Sequence, residues 1–243
     1  MRSMVIDDDR LVHINESSTI ILKNKQINIE YDFNDNNFSL LIFCDYDGDI
    51  NIKDYGSLNN SNVDINYIIL DRYNLIQNTK IDVNKNSTLK VNAIYLAVNM
   101  KEVVFDLYNK QADSIVDINN NIVCLEDSEF SLDCIGSIVR GAKRSKCHQK
   151  THCLTMDNPK KARVLPVLNI DENDVEASHS LSSGTLDEEI LFYMNSRGLD
   201  KKHALNLVLK SYLMPNDDFY TKYELGDQIQ QSAIRKVDEI CSM

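Results

Sequence analysis

The sequence predicts a mainly β chain that ends in a small helical region. Short apolar runs rich in β-branched and aromatic residues recur about every ten residues up to residue 135. Apolar residues at helical spacing appear only after Leu181. Only 7 glycines and 3 prolines are present, which excludes a collagen and argues against a glycine-rich phosphate-binding enzyme.

Residues 11–135 contain a series of candidate strands, each bounded by Asn, Asp, Gly or Ser. The clearest lie at 18–22, 27–31, 38–43, 50–52, 63–69, 81–83, 89–95 and 103–107. A sandwich, a barrel and a solenoid all fit such a series. Asp47-Gly48 is the one tight hairpin signal, so the pattern favours a β-helix over a meander of hairpins, although no repeat period is evident. Asparagine runs such as 119–121 are typical of turns.

Three helices are predicted near the C-terminus. The first begins at the capping-box pattern Thr185-Leu-Asp-Glu188 and stops at Gly198. Asp200 caps the second, which Pro215 ends, and the third covers about 227–241. The predicted division is a β core over residues 1–183 and a helical domain over 184–243.

Charge is distributed unevenly along the chain. The net charge is −11, from 26 basic and 37 acidic side chains, which argues against nucleic-acid or membrane binding. Residues 136–170 nevertheless carry 8 basic and 1 acidic side chains. This basic island is either a solvated face or a patch for an anionic partner.

Neither a signal peptide nor a membrane span is evident in the sequence. We therefore expect a cytoplasmic protein whose six cysteines stay reduced. None of the common nucleophile, phosphate-loop, dinucleotide or zinc-protease motifs occurs. The sequence thus disfavours these enzyme classes.

One short segment groups four potential metal ligands, Cys147, His148, His152 and Cys153. In a single strand the two thiols would share one face and the two imidazoles the other. A turn within the segment would be needed to bring all four together. Otherwise the segment is a basic turn followed by an inward-facing Cys153. A lone histidine such as His179 is more often structural than a ligand.

The C-terminal half resembles the SufB/SufD family, the scaffold proteins of the SUF iron–sulfur cluster assembly machinery. The matching segments are 138–156, 166–170, 174–180 and 184–198. Most specific is His179 followed, after a short spacer, by Leu-Asp-Glu-Glu-Ile-Leu-Phe-Tyr and then Ser-Arg-Gly198. Residues 1–135 share only the general strand pattern of the family and none of its specific motifs.

This resemblance implies a right-handed parallel β-helix followed by a helical domain that binds a SufC-like ABC-type ATPase. It also implies that two β-helix subunits pair through their last coils, as a homodimer or with a longer SufB/SufD-type subunit. A transient iron–sulfur cluster would be built at that interface. No tightly bound cofactor is expected.

Residue by residue, His179 matches the family's proposed cluster ligand and is the first candidate here. Cys153 and Cys147 come next, as thiolates. The neighbouring basic residues Arg144, Lys146 and Lys150 would favour their ionised form.

The chain departs from the family at three other positions. The B-type cysteine falls at Thr151, although Cys153 has the same strand parity and could replace it. The B-type glutamate after the histidine is Ser180, and the D-type cysteine two residues before it is Ala177. The context Asp174-Val-Glu-Ala-Ser-His179 nevertheless resembles the D-type subunit more than the B-type subunit.

Two other classes stay open. One is a carbohydrate-active enzyme on a β-helix, which would need a carboxylate cluster in a cleft. The other is a small metal- or redox-sensing module built on Cys147 to Cys153. Anaerobic metal analysis separates the three: iron with acid-labile sulfide for the scaffold, stoichiometric zinc for the module, and neither for the enzyme.

Overall fold

A computed structural model describes residues 2–156, 159, 161–214 and 217–241, with residues 217, 218, 240 and 241 described by their backbone alone. The elements are β1 (Arg2–Ile6), β2 (Leu11–Ile14), β3 (Ser18–Leu22), β4 (Gln26–Asn34), β5 (Asn37–Cys44), β6 (Ile50–Asn59), β7 (Asn62–Ile69), β8 (Leu75–Val83), β9 (Thr88–Ala97), β10 (Met100–Asn109), β11 (Ile115–Cys124), β12 (Glu129–Ile138), β13 (Ser145–Thr155), β14 (Lys161–Ile170), β15 (Val175–Thr185), α1 (Glu188–Ser196), α2 (Lys201–Leu213), α3 (Asp217–Tyr220) and α4 (Gly226–Cys241).

Successive strands alternate between two sheets. The odd-numbered strands form an eight-stranded sheet in the order β1 to β15, and the even-numbered strands form a seven-stranded sheet from β2 to β14. The strand pairs are parallel, for example β11 with β13 and β12 with β14. This is a parallel β-helix, so the predicted fold class is confirmed and the sandwich and barrel are excluded.

The coils differ in length, which explains why no repeat period is visible in the sequence. Ser18 of β3 pairs with Leu40 of β5, 22 positions later. Farther along, Ile115 pairs with Lys146, 31 positions later. A coil can gain residues at its corners without disturbing the stacked strands.

The corners explain the abundance of Asn and Asp. Asp35, Asn60, Asn86 and Asp113 take left-handed conformations, with φ of 55°, 50°, 53° and 59°. Asn and Asp tolerate this conformation better than most side chains because their short polar groups bond locally. These residues therefore turn the chain between the sheets without hairpins.

The interior of the solenoid is filled by alternate residues of both sheets. In β8 every second residue from Leu75 to Val83 is buried. One apolar core occupies the space between the sheets. Its apolar side chains reach from Ile6 in β1 to Cys153 in β13.

A second core joins the helices to the outer face of the eight-stranded sheet. Its buried members from the helical region include Leu209, Leu213, Ile229, Ala233 and Val237, and those from the sheet include Leu41, Phe43, Ile68, Leu96 and Leu154. In the same region Lys236 of α4 forms a nearly buried ion pair with Asp71. The helical region therefore shares its core with the solenoid. None of the described helices is long and apolar enough to cross a membrane.

Two sequence expectations about local structure are wrong. Residues 119–121 lie within β11 instead of a turn, because Asn119 bonds to Asn92 and Asn120 donates to Thr151 on the next strand. Helix α1 is capped by Asp187, not Thr185, because β15 continues to Thr185.

The other helix signals agree better with the structure. The Asp200 carboxylate accepts from the His203 amide at 2.9 Å, as a cap of α2. Gly198 has φ of 93° just past α1, the conformation that a terminating glycine supplies. The short helix α3 was not predicted, and Pro215 lies outside the described residues.

Candidate functional site

The solenoid is uncovered at its C-terminal end. In β13 the inward-facing side chains are buried, whereas their in-register neighbours in β15 are exposed or partly exposed. Parallel neighbours in register point to the same side of a sheet, so the exposed side chains face the solenoid axis. We call this surface the open end; its residues are Val164, Pro166, Leu168 and Ile170 of β14 and Ala177, His179, Leu181 and Ser183 of β15.

His179 lies in the middle of β15. It pairs in register with Gln149 of β13, which is almost fully buried. His179 is exposed because no described residues form a coil above it. Around it the open end is mainly apolar, with Leu181 44% and Ile170 41% exposed.

The four-ligand segment does not converge. It forms a single continuous strand, β13, with Cys147 and Cys153 buried in the interior. His148 and His152 face outward, and His148 Nδ1 lies 2.8 Å from the Ser178 hydroxyl. Among the described residues there is no group of three or more His, Cys, Asp or Glu side chains that could hold a metal ion.

The two thiols lie one strand beneath the open end. Cys147 pairs with Ala177 and Cys153 with Ser183. Burial raises the pKa of the Cys147 thiol to about 12, so it is protonated at neutral pH. A hydrogen bond donated by Cys124 lowers the pKa of Cys153.

Four cations of the basic island, Arg140, Arg144, Lys146 and Arg163, pair with carboxylates on neighbouring coils. Arg144 holds Asp113 through two hydrogen bonds of 2.7 and 2.6 Å. Lys146 lies 2.9 Å from Glu176 on the outer face. The cations expected to favour thiolates thus face away from Cys147, whose pKa is raised by burial and by the charge of Asp117.

The three positions at which the chain departs from the family motif differ from one another in their surroundings. Thr151 is buried, accepts a hydrogen bond of 3.1 Å from Asn120 and pairs with Leu181. Ala177 faces the open end on the same side as His179, whereas Ser180 faces outward. Only the D-type cysteine position therefore lies beside His179 on the exposed surface.

Sequence reasoning overlooked Gln149. Its side chain is 3% exposed, and its amide nitrogen donates to the Val167 carbonyl at 3.0 Å. Among the described residues the amide oxygen has no hydrogen-bond partner. Its alternation with Cys147 and Cys153 is a signal that could have identified it as an inward-facing polar residue.

Helix α1 presents an apolar surface next to the open end. None of its residues is buried, and Ile190, Phe192 and Tyr193 are 47%, 75% and 59% exposed. A groove of about 1020 Å³ separates it from α2 and is lined by apolar side chains such as Leu191 and Leu205. Exposed aromatic side chains of this kind are typical of protein-binding surfaces.

A carbohydrate-active enzyme would need a cluster of carboxylates in a cleft. A groove with several carboxylates lies on the outer face of the seven-stranded sheet. This groove, of about 400 Å³, is lined by Glu30, Asp32 and Asp82, among others. His13 Nδ1 lies 2.6 Å from Glu30, and Lys110 lies 3.6 Å from Asp82. Two of the three carboxylates are therefore engaged by basic groups.

Comparison with known proteins identifies the family of the chain. Residues 49–212 match the family described as "SUF system FeS cluster assembly, SufBD core domain". This match covers β6 to α2, and so includes the open end and α1.

Individual relatives match shorter parts. The iron–sulfur cluster assembly protein SufD of Bacillus subtilis is 36% identical over 92 residues, 37% of this chain and 21% of that protein. A SufBD family protein of Pyrococcus horikoshii is 29% identical over 143 residues, 58% of this chain and 31% of its own length. SufD of Escherichia coli is 26% identical over 144 residues, 57% of this chain and 33% of its own length. The matched part is thus a fifth to a third of these relatives, and on the strength of the family match the chain belongs to the SufB/SufD family.

Proposed function

We propose that the chain is a non-catalytic scaffold subunit of a cytoplasmic SUF-type iron–sulfur cluster assembly complex. The observation that carries the proposal is the open end of a chain of this family. There His179 is exposed above a filled solenoid, and it is the one histidine among the described residues that faces the solenoid axis. The cluster is cargo that forms and leaves. No resident cofactor is part of the proposal.

The open end pairs with another solenoid. β14 and β15 are the last strands of their sheets, so their outer edges have no strand partner among the described residues. Such edges readily accept a further strand, and the apolar residues around His179 favour its burial by a partner. The partner is a second copy of this chain or a longer SufB/SufD-type subunit.

His179 then supplies an imidazole ligand at the interface. Histidine can replace cysteine on cluster iron, and it must be neutral to do so. Cys147 and Cys153 are secondary ligand candidates, which the last coil covers in this conformation. Because Thr151, Ala177 and Ser180 replace the family's other groups, a longer SufB/SufD-type partner would supply most of the thiolates. In a homodimer the candidate thiolates would be Cys147 and Cys153 of the two copies.

The C-terminal helices bind a SufC-like ABC-type ATPase, with Ile190, Phe192 and Tyr193 of α1 as the main contacts. Helix α1 follows β15 directly, and α2 shares a core with the solenoid. Movement of the ATPase subunits on ATP binding would therefore reach the open end through α1. This is a coupling between two sites through a two-state change.

Anaerobic reconstitution of His179→Ala tests the ligand role. We expect the variant to fold normally and to retain less iron and acid-labile sulfide than the wild type. His152→Ala is the matched control, because it removes a histidine from the adjacent strand that faces outward. Equal iron per folded molecule in wild type and His179→Ala would disprove the ligand role. Stoichiometric zinc in the wild type would instead favour the metal-sensing module, and a lack of metal with polysaccharide cleavage the enzyme.

Capture of the ATPase from the same source tests the helical contact. Phe192→Asp should abolish capture, whereas Ile76→Asp, at an exposed position on β8, should leave it intact. A point substitution is preferable to truncation at residue 183, because truncation would uncover the shared core. Undiminished capture by Phe192→Asp would remove α1 from the proposal.

A further inference from the structure

We infer that Gln149 is a positioning residue for His179: its amide oxygen accepts a hydrogen bond from one ring nitrogen, so that the other nitrogen presents its lone pair to iron. This inference rests on the proposed ligand role of His179. It assigns a task to a buried group that the family motif does not include.

The position of Gln149 is built into the fold. Its side chain is 3% exposed, and its amide nitrogen is held by the Val167 carbonyl of β14 at 3.0 Å. A Cβ atom at Gly136 would lie 2.9 Å from this nitrogen and 2.4 Å from Cys147 Sγ. Glycine at 136 therefore makes the room in which the amide sits.

The amide oxygen of Gln149 makes no hydrogen bond to the described residues. Because the nitrogen donates to Val167, the oxygen is the acceptor that stays free, and it has no partner among the described residues. Buried carbonyl oxygens are rarely left unpaired. The free oxygen therefore points to a donor that this conformation does not engage.

Register identifies the donor. Gln149 and His179 are direct neighbours on adjacent parallel strands, which lie about 4.8 Å apart, and their side chains share a face. Of the other inward-facing side chains of β15, Ala177 and Leu181 carry no donor, and Ser183 lies opposite Cys153. The imidazole N–H is the donor that register places beside the amide.

A carbonyl that holds one ring nitrogen fixes the tautomer of a histidine. Metal-binding histidines usually donate their second N–H to such a group, which orients the ring and strengthens the ligand. The inferred contact forms within the chain itself, and capping of the open end by a partner would keep the imidazole against Gln149. The arrangement prepares His179 before iron arrives.

Nitrogen-15 NMR of the full chain tests the contact without any cluster. At about pH 8.5 the ring nitrogen signals of His179 should report a single tautomer. Gln149→Leu should give a mixture, and Gln149→Glu, which keeps an acceptor, should retain one tautomer. Asn120→Leu is the control, because Asn120 is also buried with an unpaired oxygen but pairs with Thr151, away from His179.

Titration with Co²⁺, followed by the shifts of the His179 ring signals, supplies a second readout. Gln149→Leu should weaken the apparent affinity at His179 about 10- to 100-fold, while the signals of outward-facing His152 respond as in the wild type. A mixed tautomer in the wild type, or identical behaviour of Gln149→Leu and Asn120→Leu, would overturn the inference. Failure of the proposed function is seen separately, as normal reconstitution of His179→Ala.

Discussion

Strands β11 and β15 belong to the same sheet and are stacked in the same register, yet their surroundings differ completely. β11 lies between β9 and β13, and six of its ten residues are buried. β15 has β13 on one side only, and none of its residues is buried. The difference comes from the position in the stack, since both have inward-facing apolar side chains. Exposure at the open end therefore comes from its place as the last described coil, and under the proposed function a partner would cover it.

The largest expected effect compares one substitution in the two regions. Leu132→Ala removes a fully buried side chain of β12 and should lower the free energy of unfolding by about 2–5 kcal/mol. Leu181→Ala, at the open end, should change that of the isolated chain by less than about 0.5 kcal/mol. Urea unfolding at low protein concentration measures both. A large loss at Leu181 under these conditions would mean that the open end is already covered.

A second test concerns helix α4, which joins the helical region to the closed coils through the ion pair of Lys236 with Asp71. Lys236→Met leaves Asp71, which is 6% exposed, without its cation. Breaking a buried pair from one side should cost about 3 kcal/mol. The exposed pair of Lys210 and Asp238, at 2.6 Å, is the matched control, and Lys210→Met should cost less than about 1 kcal/mol. Equal costs in thermal unfolding would contradict the tight attachment.

The dependence of stability on alkaline pH tests whether the Cys147 thiol belongs to the closed coils or to the open end. The pKa of Cys147 is raised to about 12 in the folded chain, whereas the unfolded thiol titrates near 9. Below pH 9 both states hold the proton, so the stabilising contribution is complete; between about 9 and 12 only the folded state holds it. Stability should therefore fall by up to about 1.4 kcal/mol per pH unit from this group.

Cys147→Ala should remove that part of the slope of stability against pH. Thr151→Val, on the same inward face, should leave the slope unchanged because no titrating group is lost. Unfolding in reductant at several pH values measures the slopes. An unchanged slope in Cys147→Ala would place the β13 thiol in the open region.

The sequence predicted the strands and the helices where local chemistry decides them. The strand at residues 18–22 was predicted with the bounds it has as β3, and Asp200 as the cap of α2. The sequence was misleading where contacts between coils override local preference. Asn120 has a high turn propensity but lies in a strand, where it donates a hydrogen bond to Thr151. His179 was found through the family motif, whereas its exposure and its neighbour Gln149 depend on register. Because the coils differ in length, the sequence alone does not tell which residues of adjacent coils pair.

The central claim is that the open end pairs with another solenoid. Sedimentation equilibrium of the full chain, alone and mixed with a longer SufB/SufD-type subunit of the same organism, tests it most directly. We predict the mass of a pair in at least one of the two samples. Leu181→Asp, which places a charge on the apolar open end, should reduce that mass to the single chain. A wild-type chain that stays monomeric in both samples, or a pair that Leu181→Asp leaves intact, would contradict the claim.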